Sequence, residues 1–308
     1  MTSPLIIYIP GLLPKPEPAM HRDALYRSLM HGLTAHAPDV AERIDADHQA
    51  FDLVSWTYDF YGEHRDIALD QPSIDAMLEH AEAPDSAVDE ASAFTRRLLR
   101  WFYLLGDFFP FLIPYLADER VEMHIRDLRR YAKDANGIAQ HVREMLKLPL
   151  RAAAQSGRPT LLIAHSMGSV IAFDTLWQMS HEDNDHVRLD TLLTMGSPLG
   201  QRFIQRHLLG HGRVGHARYP SNIVNWKNLS ARGDLTSVDP KLSNDFGQMR
   251  TLDLVETFDD EEILNWFRLD GTLNVHAEYG YLANPVTAKF VAAWWRSAVN
   301  VQTTKSVR

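Results

Sequence analysis

Short apolar runs alternate with longer segments of helical periodicity along this 308-residue chain, and this alternation constrains the fold more than any other feature. Residues 20–37 and the segment after Pro285 have helical spacing. Alternating strands and helices are typical of a parallel sheet with helices on its faces. The sequence therefore predicts a single α/β domain over residues 1–308, with a mostly parallel central sheet covered by helices. The six predicted strands are residues 5–9, 51–58, 160–164, 192–195, 223–229 and 252–258.

The connection between the second and third predicted strands is about a hundred residues long. A parallel crossover needs only about a dozen residues. Within the connection, residues 73–83, 87–105 and 119–154 are helical in composition. Long insertions in compact domains are often lids or binding elements. We therefore predict a helical, lid-like insert over residues 60–118.

An apolar and aromatic run at residues 101–117 lies inside this insert. It is shorter than the roughly 20 residues that a membrane-spanning helix needs, and Pro110 and Pro114 would break such a helix. No transmembrane segment is expected. Two interpretations stay open: the run packs against the protein core, or it forms an acyl-binding wall or lid whose exposed face meets lipid or a partner subunit.

Composition and charge exclude several classes of protein. Thirty-one Lys and Arg residues against 40 Asp and Glu residues give a net charge of −9, and no basic block occurs, so no nucleic-acid partner is expected. The lack of cysteine rules out a disulfide framework, a thiolate nucleophile and Cys-ligated zinc. The first apolar run stops at Pro10 without the features of a secretory signal, so a cytoplasmic location is expected.

The third predicted strand leads directly into the pentapeptide AHSMG at residues 164–168, and residues 170–178 then have helical character. A strand, a sharp turn and a helix in succession form the context in which a serine at the turn acts as a nucleophile. The residues two before and two after Ser166 are small, as the close approach of strand and helix requires. The structural alternative is that Ser166 or Ser169 caps the helix N-terminus.

On these residues the sequence resembles the α/β-hydrolase superfamily, in particular serine esterases and lipases with AHSMG turns. The resemblance extends from the first strand to the closing helix and does not cover the insert at residues 60–118. The family pattern has glycine where this chain has Ala164, and the sequence does not predict the two antiparallel strands that open many members. The resemblance implies cleavage of carboxylic esters through an acyl-enzyme on Ser166, and the apolar insert favours an apolar acyl chain.

Two further classes of function stay open at this point. The same residues could cleave a thioester or transfer an acyl group. Alternatively, the fold could serve as a non-catalytic binding or interaction module, with the helical insert as its contact surface. None of these functions requires a cofactor or a metal.

The resemblance also implies that a catalytic acid and then a catalytic histidine follow the serine along the chain. Of the 15 histidines, His276 alone lies beyond residue 216, so it is predicted as the general base. Asp234 follows the fifth strand and Gly233, where its carboxylate could reach the sheet edge. Asp239 competes with it, but the Asp-Pro context of Asp239 favours a turn. Asp253, Asp259 and Asp260 are weaker candidates.

Backbone N–H groups are predicted to stabilise the oxyanion that forms when a serine attacks an ester. One donor is the N–H of Met167, which follows the nucleophile. The second is the N–H of Leu12, with Leu13 as the alternative, because Pro10 and Gly11 form a turn after the first strand.

Metal and nucleotide sites are not expected elsewhere in the chain. His207 and His211 are four residues apart but lack a third ligand. Residues 181–186 are acidic but lack the glycine and glutamate of a calcium loop. Residues 196–200, GSPLG, lack the helix-opening pattern of a nucleotide site and are predicted to shape one wall of the cleft.

Overall fold

Six strands form the central sheet of this computed structural model, which describes residues 2–91, 119–183, 185–237 and 239–306. The strand order is β2-β1-β3-β4-β5-β6, and each neighbouring pair is parallel. The prediction of an α/β class with a mostly parallel central sheet is confirmed. The strands are β1 (Leu5–Ile9), β2 (Phe51–Leu53), β3 (Thr160–His165), β4 (Leu189–Met195), β5 (Ile223–Ala231) and β6 (Thr257–Ile263).

Helices flank the sheet and connect its strands, and a separate antiparallel pair, β7 (Arg268–Leu269) and β8 (Thr272–Leu273), follows β6. The α-helices of the described residues are α1 (Pro18–His36), α2 (Pro38–Asp45), α3 (Thr57–Tyr61), α4 (Gln71–Met77), α5 (Asp85–Ala91), α6 (Glu119–Ala132), α7 (Ile138–Gln155), α8 (Met167–His181), α9 (Arg202–Gln205), α10 (Leu242–Asp245), α11 (Gln248–Thr251), α12 (Glu278–Leu282) and α13 (Pro285–Ser306).

Alternate residues of each central strand face two separate hydrophobic cores. In β1, Ile6 and Tyr8 lie in one core, whereas Ile7 and Ile9 lie in the other. Helices α1, α2 and α13 complete the first core, and α7 and α8 complete the second. All residues of β1 and β3 are buried. Burial on both faces explains why these strands are continuous apolar runs in the sequence.

The strand order changes direction at β1, because β2 lies on one side of β1 and β3 on the other. In open parallel sheets, such a change creates a crevice at the carboxyl ends of the strands, and ligands bind there. Ile9 pairs in register with Ala164. The loop that leaves β1, residues 10–17 (the β1 loop), therefore lies beside the turn that follows β3.

The second strand is shorter than predicted. The predicted strand covers residues 51–58, whereas the observed strand ends at Leu53. Residues 57–61 form helix α3 instead. The chain turns away from the sheet here because Trp56 is buried: its Nε1–H donates to the Pro10 carbonyl at 2.9 Å, and its ring packs edge-on against Phe60. Apolar composition alone did not distinguish this buried turn from a longer strand.

The sixth strand begins and ends later than predicted. The prediction was residues 252–258, whereas the strand is Thr257–Ile263, with the sequence TFDDEEI. Because β6 is an edge strand, only Phe258 and Ile263 among its residues are buried. The acidic side chains between them hide the strand pattern, and charge of this kind protects an exposed sheet edge from pairing with another chain.

The insert predicted at residues 60–118 is described only as far as residue 91. This part contains the end of α3 and helices α4 and α5. The apolar run at residues 101–117 lies outside the described residues, as does most of the helical segment 87–105. Within the described ranges, no helix combines the length and the apolar character needed to cross a membrane.

Candidate active site

Ser166 occupies a sharp turn between β3 and α8, with φ 53° and ψ −125°. A positive φ at a residue with a Cβ costs on the order of 1–3 kcal/mol. Hydrogen bonds hold the turn: the Ser166 N–H donates to the Met195 carbonyl, and the Ser166 carbonyl accepts from the Ser169 N–H and, at 2.6 Å, from the Ser169 hydroxyl. The Ser166 side chain makes no capping hydrogen bond to α8, so its hydroxyl is available for other partners.

Two glycines allow the backbones to approach each other at this turn. A Cβ on Gly168 would lie 2.5 Å from the Ile9 carbonyl oxygen, so only glycine lets α8 start this close to β1. A Cβ on Gly11 would lie 2.7 Å from the Ser166 Cβ. The start of the β1 loop is therefore in direct contact with the serine. This contact is expected, because β1 and β3 are paired in parallel and end at the same edge of the sheet.

His276 joins Ser166 to Asp234. The His276 Nε2 lies 2.9 Å from the Ser166 Oγ, and the His276 Nδ1 lies 2.8 Å from the Asp234 Oδ2. A carboxylate can only accept, so Nδ1 carries the ring proton and the Nε2 lone pair accepts the serine hydroxyl. A hydroxyl, an imidazole and a carboxylate in this arrangement can activate the hydroxyl as a nucleophile.

The surroundings of Asp234 keep its carboxylate fully buried and charged. Its Oδ2 also accepts the Tyr281 hydroxyl at 2.8 Å, and its Oδ1 accepts the Thr236 N–H at 2.8 Å. Burial acts to raise the pKa of Asp234, but the charge and hydrogen bond of His276, with the Tyr281 and Thr236 bonds, lower it below its ordinary value. The His276 ring is 31% exposed, so it links this buried acid to the cleft.

The competing acids lie in other roles. The Asp239 Oδ1 accepts the Lys241 N–H at 2.9 Å, which is the turn that its Asp-Pro context predicted. The carboxylate of Asp260 accepts the N–H groups of Leu242 and Ser243 at the start of α10. The structure therefore brings Asp234, and not these two residues, to His276.

His165, the residue before the serine, holds the backbone of His276. The His165 Nε2 lies 2.9 Å from the His276 carbonyl oxygen, and a carbonyl can only accept, so Nε2 carries the proton. Burial, with a smaller contribution from the neighbouring His276, lowers the pKa of His165 to about 3. The His165 ring is therefore neutral at physiological pH and acts as a single fixed donor.

Two backbone N–H groups near Ser166 are free to meet a developing negative charge. Met167 is the first residue of α8, so its N–H has no acceptor inside the helix. Within the described residues, the Leu12 N–H donates to no group. The Leu13 N–H donates to the Tyr61 hydroxyl at 3.1 Å, and this occupied state favours Leu12 over Leu13 as the second donor.

In the described ranges, no three His, Asp or Glu residues form a group that could hold a metal ion. The imidazole Nδ1 of His207 instead lies 2.8 Å from the Phe203 carbonyl oxygen.

Sequence reasoning missed the side chains that support the predicted residues. Tyr281 and His165 lie in apolar surroundings and resemble ordinary core residues in the sequence. Gly196, in the segment predicted to shape the cleft, has φ +55°, and a Cβ there would lie 2.9 Å from the Asp234 Oδ2. Its position directly after a buried strand was the available signal.

Comparison of the chain with protein-family models, with curated proteins and with solved structures gave no match. The fold and the site therefore rest on their own geometry: an α/β protein with a parallel sheet, in which a strained serine, a histidine and a buried aspartate form a continuous hydrogen-bonded chain at the switch in strand order.

Proposed function

We propose that the protein is a serine hydrolase of the α/β-hydrolase superfamily that cleaves carboxylic esters through an acyl-enzyme on Ser166. The observation that carries the proposal is the unbroken chain from Ser166 Oγ through the His276 ring to Asp234, with distances of 2.9 and 2.8 Å. The position of Ser166 at a strained turn between a buried strand and a helix supports the same function.

In the first half of the reaction, the Ser166 Oγ attacks the ester carbonyl carbon while its proton moves to the His276 Nε2. The carbonyl π electrons move to oxygen, and the N–H groups of Met167 and Leu12 stabilise this oxyanion. The imidazolium then gives its proton to the leaving alkoxide oxygen as the ester C–O bond breaks. An alcohol departs and the acyl group stays on Ser166.

In the second half, a water molecule attacks the acyl carbonyl and transfers one proton to the His276 Nε2. The bond between the acyl carbon and the Ser166 Oγ breaks, and the oxygen recovers the proton from the imidazolium. Asp234 remains ionised throughout and stabilises the imidazolium that forms twice. The lowered pKa of Asp234 supports this role, because the carboxylate stays charged over the working pH range.

An apolar acyl group is the substrate class that the β1 loop supports. Leu12 and Leu13 follow Gly11, which contacts Ser166, and Leu13 is 39% exposed. Apolar side chains on the loop that contacts the nucleophile favour binding of an acyl chain over a charged group. In the same proposal, residues 60–118 act as a lid.

The test uses a fluorophosphonate probe and a series of p-nitrophenyl esters of increasing acyl length. The wild-type protein should be labelled on the peptide that contains Ser166, and Ser166→Ala should take no label. The ester series then reads the depth of the acyl site from the chain length at which kcat/KM is highest.

Each alternative function gives a different result. A folded wild-type protein that takes no label and cleaves no ester contradicts the proposal and favours a non-catalytic role. Labelling at Ser166 with cleavage of acyl thioesters but not of oxygen esters would replace the ester with a thioester as the substrate. Acyl products that depend on an added alcohol would indicate acyl transfer.

A further inference from the structure

A buried ionic cluster lies behind the three residues of the proposed reaction and takes no part in it. Its centre is Glu278, the first residue of α12 and only 4% exposed. The Glu278 Oε1 accepts from the Lys15 Nζ at 2.8 Å and faces the His21 Nε2 at 3.1 Å. The Glu278 Oε2 accepts the Tyr8 hydroxyl at 3.0 Å. Strand β1, the β1 loop and α1 thus all meet one carboxylate.

The cluster pairs a buried carboxylate with a cation. Burial acts to raise the pKa of Glu278, but the charge of Lys15 and the contact with His21 keep it well below its ordinary range. The neighbouring His165 ring, whose Nδ1 lies 4.0 Å from the Glu278 Oε2, has a pKa lowered to about 3 by burial and is neutral. Lys15 is therefore the permanent cation that offsets the buried carboxylate.

Both members of the ion pair belong to segments that carry the proposed chemistry. Lys15 lies in the β1 loop, three residues after the proposed oxyanion donor Leu12. Glu278 lies two residues after His276. The β1 loop is also fixed at Gly11, against Ser166, and at Leu13, through Tyr61. The Lys15 contact adds a link from this loop to the segment of the histidine.

We propose that Lys15 and Glu278 form a positioning pair, which holds the oxyanion donor of the β1 loop in register with Ser166 and His276. This inference rests on the proposed function and adds to it a requirement for two residues that touch no substrate. A buried ion pair adds little net stability compared with apolar residues of similar size, whereas a misplacement of about 1 Å at a reacting centre can cost about 10²-fold in rate. The pair is therefore expected to matter more for geometry than for stability.

The test compares Lys15→Met with the wild-type protein, using p-nitrophenyl butyrate and a trifluoromethyl ketone inhibitor. The ketone adds to a serine hydroxyl and places an oxyanion where the ester would. We expect Lys15→Met to lower kcat/KM by about 10²-fold, mainly through kcat, and to raise the inhibition constant of the ketone by a similar factor. Lys15→Arg, which keeps the charge, should restore most of both values.

Lys147 provides a matched control in the same fold. It is fully buried in α7 and pairs with Glu144 at 2.8 Å and Asp183 at 2.7 Å, away from the strand ends that carry the site. Lys147→Met likewise removes a cation that is ion-paired to carboxylates. It should lower the melting temperature without changing the ketone inhibition constant, because a smaller folded fraction does not alter the affinity of the folded molecules.

The outcomes separate this inference from the proposed function. If the wild-type protein binds no ketone, both the proposed hydrolase function and the positioning pair are wrong. Tight binding by the wild-type protein and equally tight binding by Lys15→Met overturns the positioning pair alone. If Lys15→Met does not fold, the double variant Lys15→Met with Glu278→Gln, which removes both charges of the pair, gives the same comparison of inhibition constants.

Discussion

At the scale of single residues, the environment of Asp234 distinguishes this carboxylate from every other candidate acid. Its carboxylate is fully buried and accepts a hydrogen bond from His276, with further bonds from the Tyr281 hydroxyl and the Thr236 backbone. A buried carboxylate that stays ionised needs such donors, because desolvation alone favours the protonated form. The proposed reaction therefore depends on the neighbours of Asp234 as well as on Asp234.

The first prediction compares two aspartates. Asp234→Asn should lower kcat/KM by about 10³- to 10⁴-fold, because an amide can present its NH₂ group to the ring and fix the wrong tautomer. Asp239→Asn should leave activity unchanged, because the Asn carbonyl oxygen can still accept the Lys241 N–H. Ester hydrolysis by the two purified variants checks this, and a crippled Asp239→Asn with a mild Asp234→Asn would reassign the acid.

The second prediction concerns Tyr281, whose hydroxyl donates to Asp234 and accepts the Ala231 N–H at 2.7 Å. Tyr281→Phe removes one donor from the carboxylate, which then attracts the imidazolium more strongly. The acidic limb of the kcat/KM profile should move to higher pH, with a loss of stability of about 1–3 kcal/mol from the unpaired buried groups.

Tyr219→Phe is the control for Tyr281→Phe. The Tyr219 hydroxyl donates to the Gln248 Oε1 at 3.0 Å, away from Ser166, His276 and Asp234. Tyr219→Phe should leave the pH profile in place. Identical profiles for both phenylalanine variants and the wild-type protein would show that Tyr281 has only a structural role.

The residues of the proposed reaction could be named from the sequence, but the residues that support them could not. Ser166 is marked by its strand–turn–helix context, and His276 and Asp234 follow from chain order and from their places after strands. Tyr281 and Glu278 come from the stretch EYGYLA, which has the composition of an ordinary helix. Their roles arise from contacts across more than 200 residues in the case of Glu278 and Lys15, and no local pattern records such contacts.

At the scale of elements, the packing of β1, β3 and the start of α8 sets the geometry of the turn at Ser166. Strands β1 and β3 were predicted to within one residue because burial on both faces leaves an uninterrupted apolar run. The edge strand β6 was misplaced because only one side of it pairs and its sequence is dominated by acidic residues. An uninterrupted buried run therefore marks a strand in the sequence, whereas an edge strand with acidic side chains does not.

The third prediction tests this packing with two glycines. Gly168→Ala places a Cβ 2.5 Å from the Ile9 carbonyl oxygen, which is rigid backbone, so α8 must move away from β1. We expect a stability loss on the order of 1–3 kcal/mol and loss of fluorophosphonate labelling.

Gly212→Ala is the matched substitution, because nothing lies within 4 Å of the added Cβ and its φ is not positive. It should leave labelling unchanged. Thermal unfolding and labelling of both variants supply the comparison, and a Gly168→Ala protein with wild-type labelling would refute the close approach.

At the scale of the whole molecule, a carboxyl buried in α8 makes stability depend on pH. Burial raises the pKa of Asp174 to about 7, against opposing effects of the Leu209 N–H and Arg143. In the unfolded chain the carboxyl has its ordinary value of 3.8. Between these values the folded state holds a proton that the unfolded state has lost, so the stabilisation is complete below pH 3.8 and is lost as pH rises through 7.

The fourth prediction follows from the loss of folding stability that ionisation of Asp174 causes as the pH rises. Asp174→Asn keeps an acceptor for the Leu209 N–H, which lies 2.8 Å from the Asp174 Oδ1, and it cannot ionise. The melting temperature of the variant minus that of the wild-type protein should increase between pH 5 and pH 8, by on the order of 5 °C. Thermal denaturation at a series of pH values gives this difference, and a difference that is constant with pH would contradict the buried, protonated carboxyl.

The reversal of strand order at β1 separates Ser166 and its partners from the long connection between β2 and β3. Both β1 and β3 are interior strands, and the long excursion between β2 and β3 leaves the sheet from the outermost strand, β2. In the proposed hydrolase, substitution, growth or shortening of that connection would change which substrates reach Ser166 and would leave the paired strands β1 and β3 as they are.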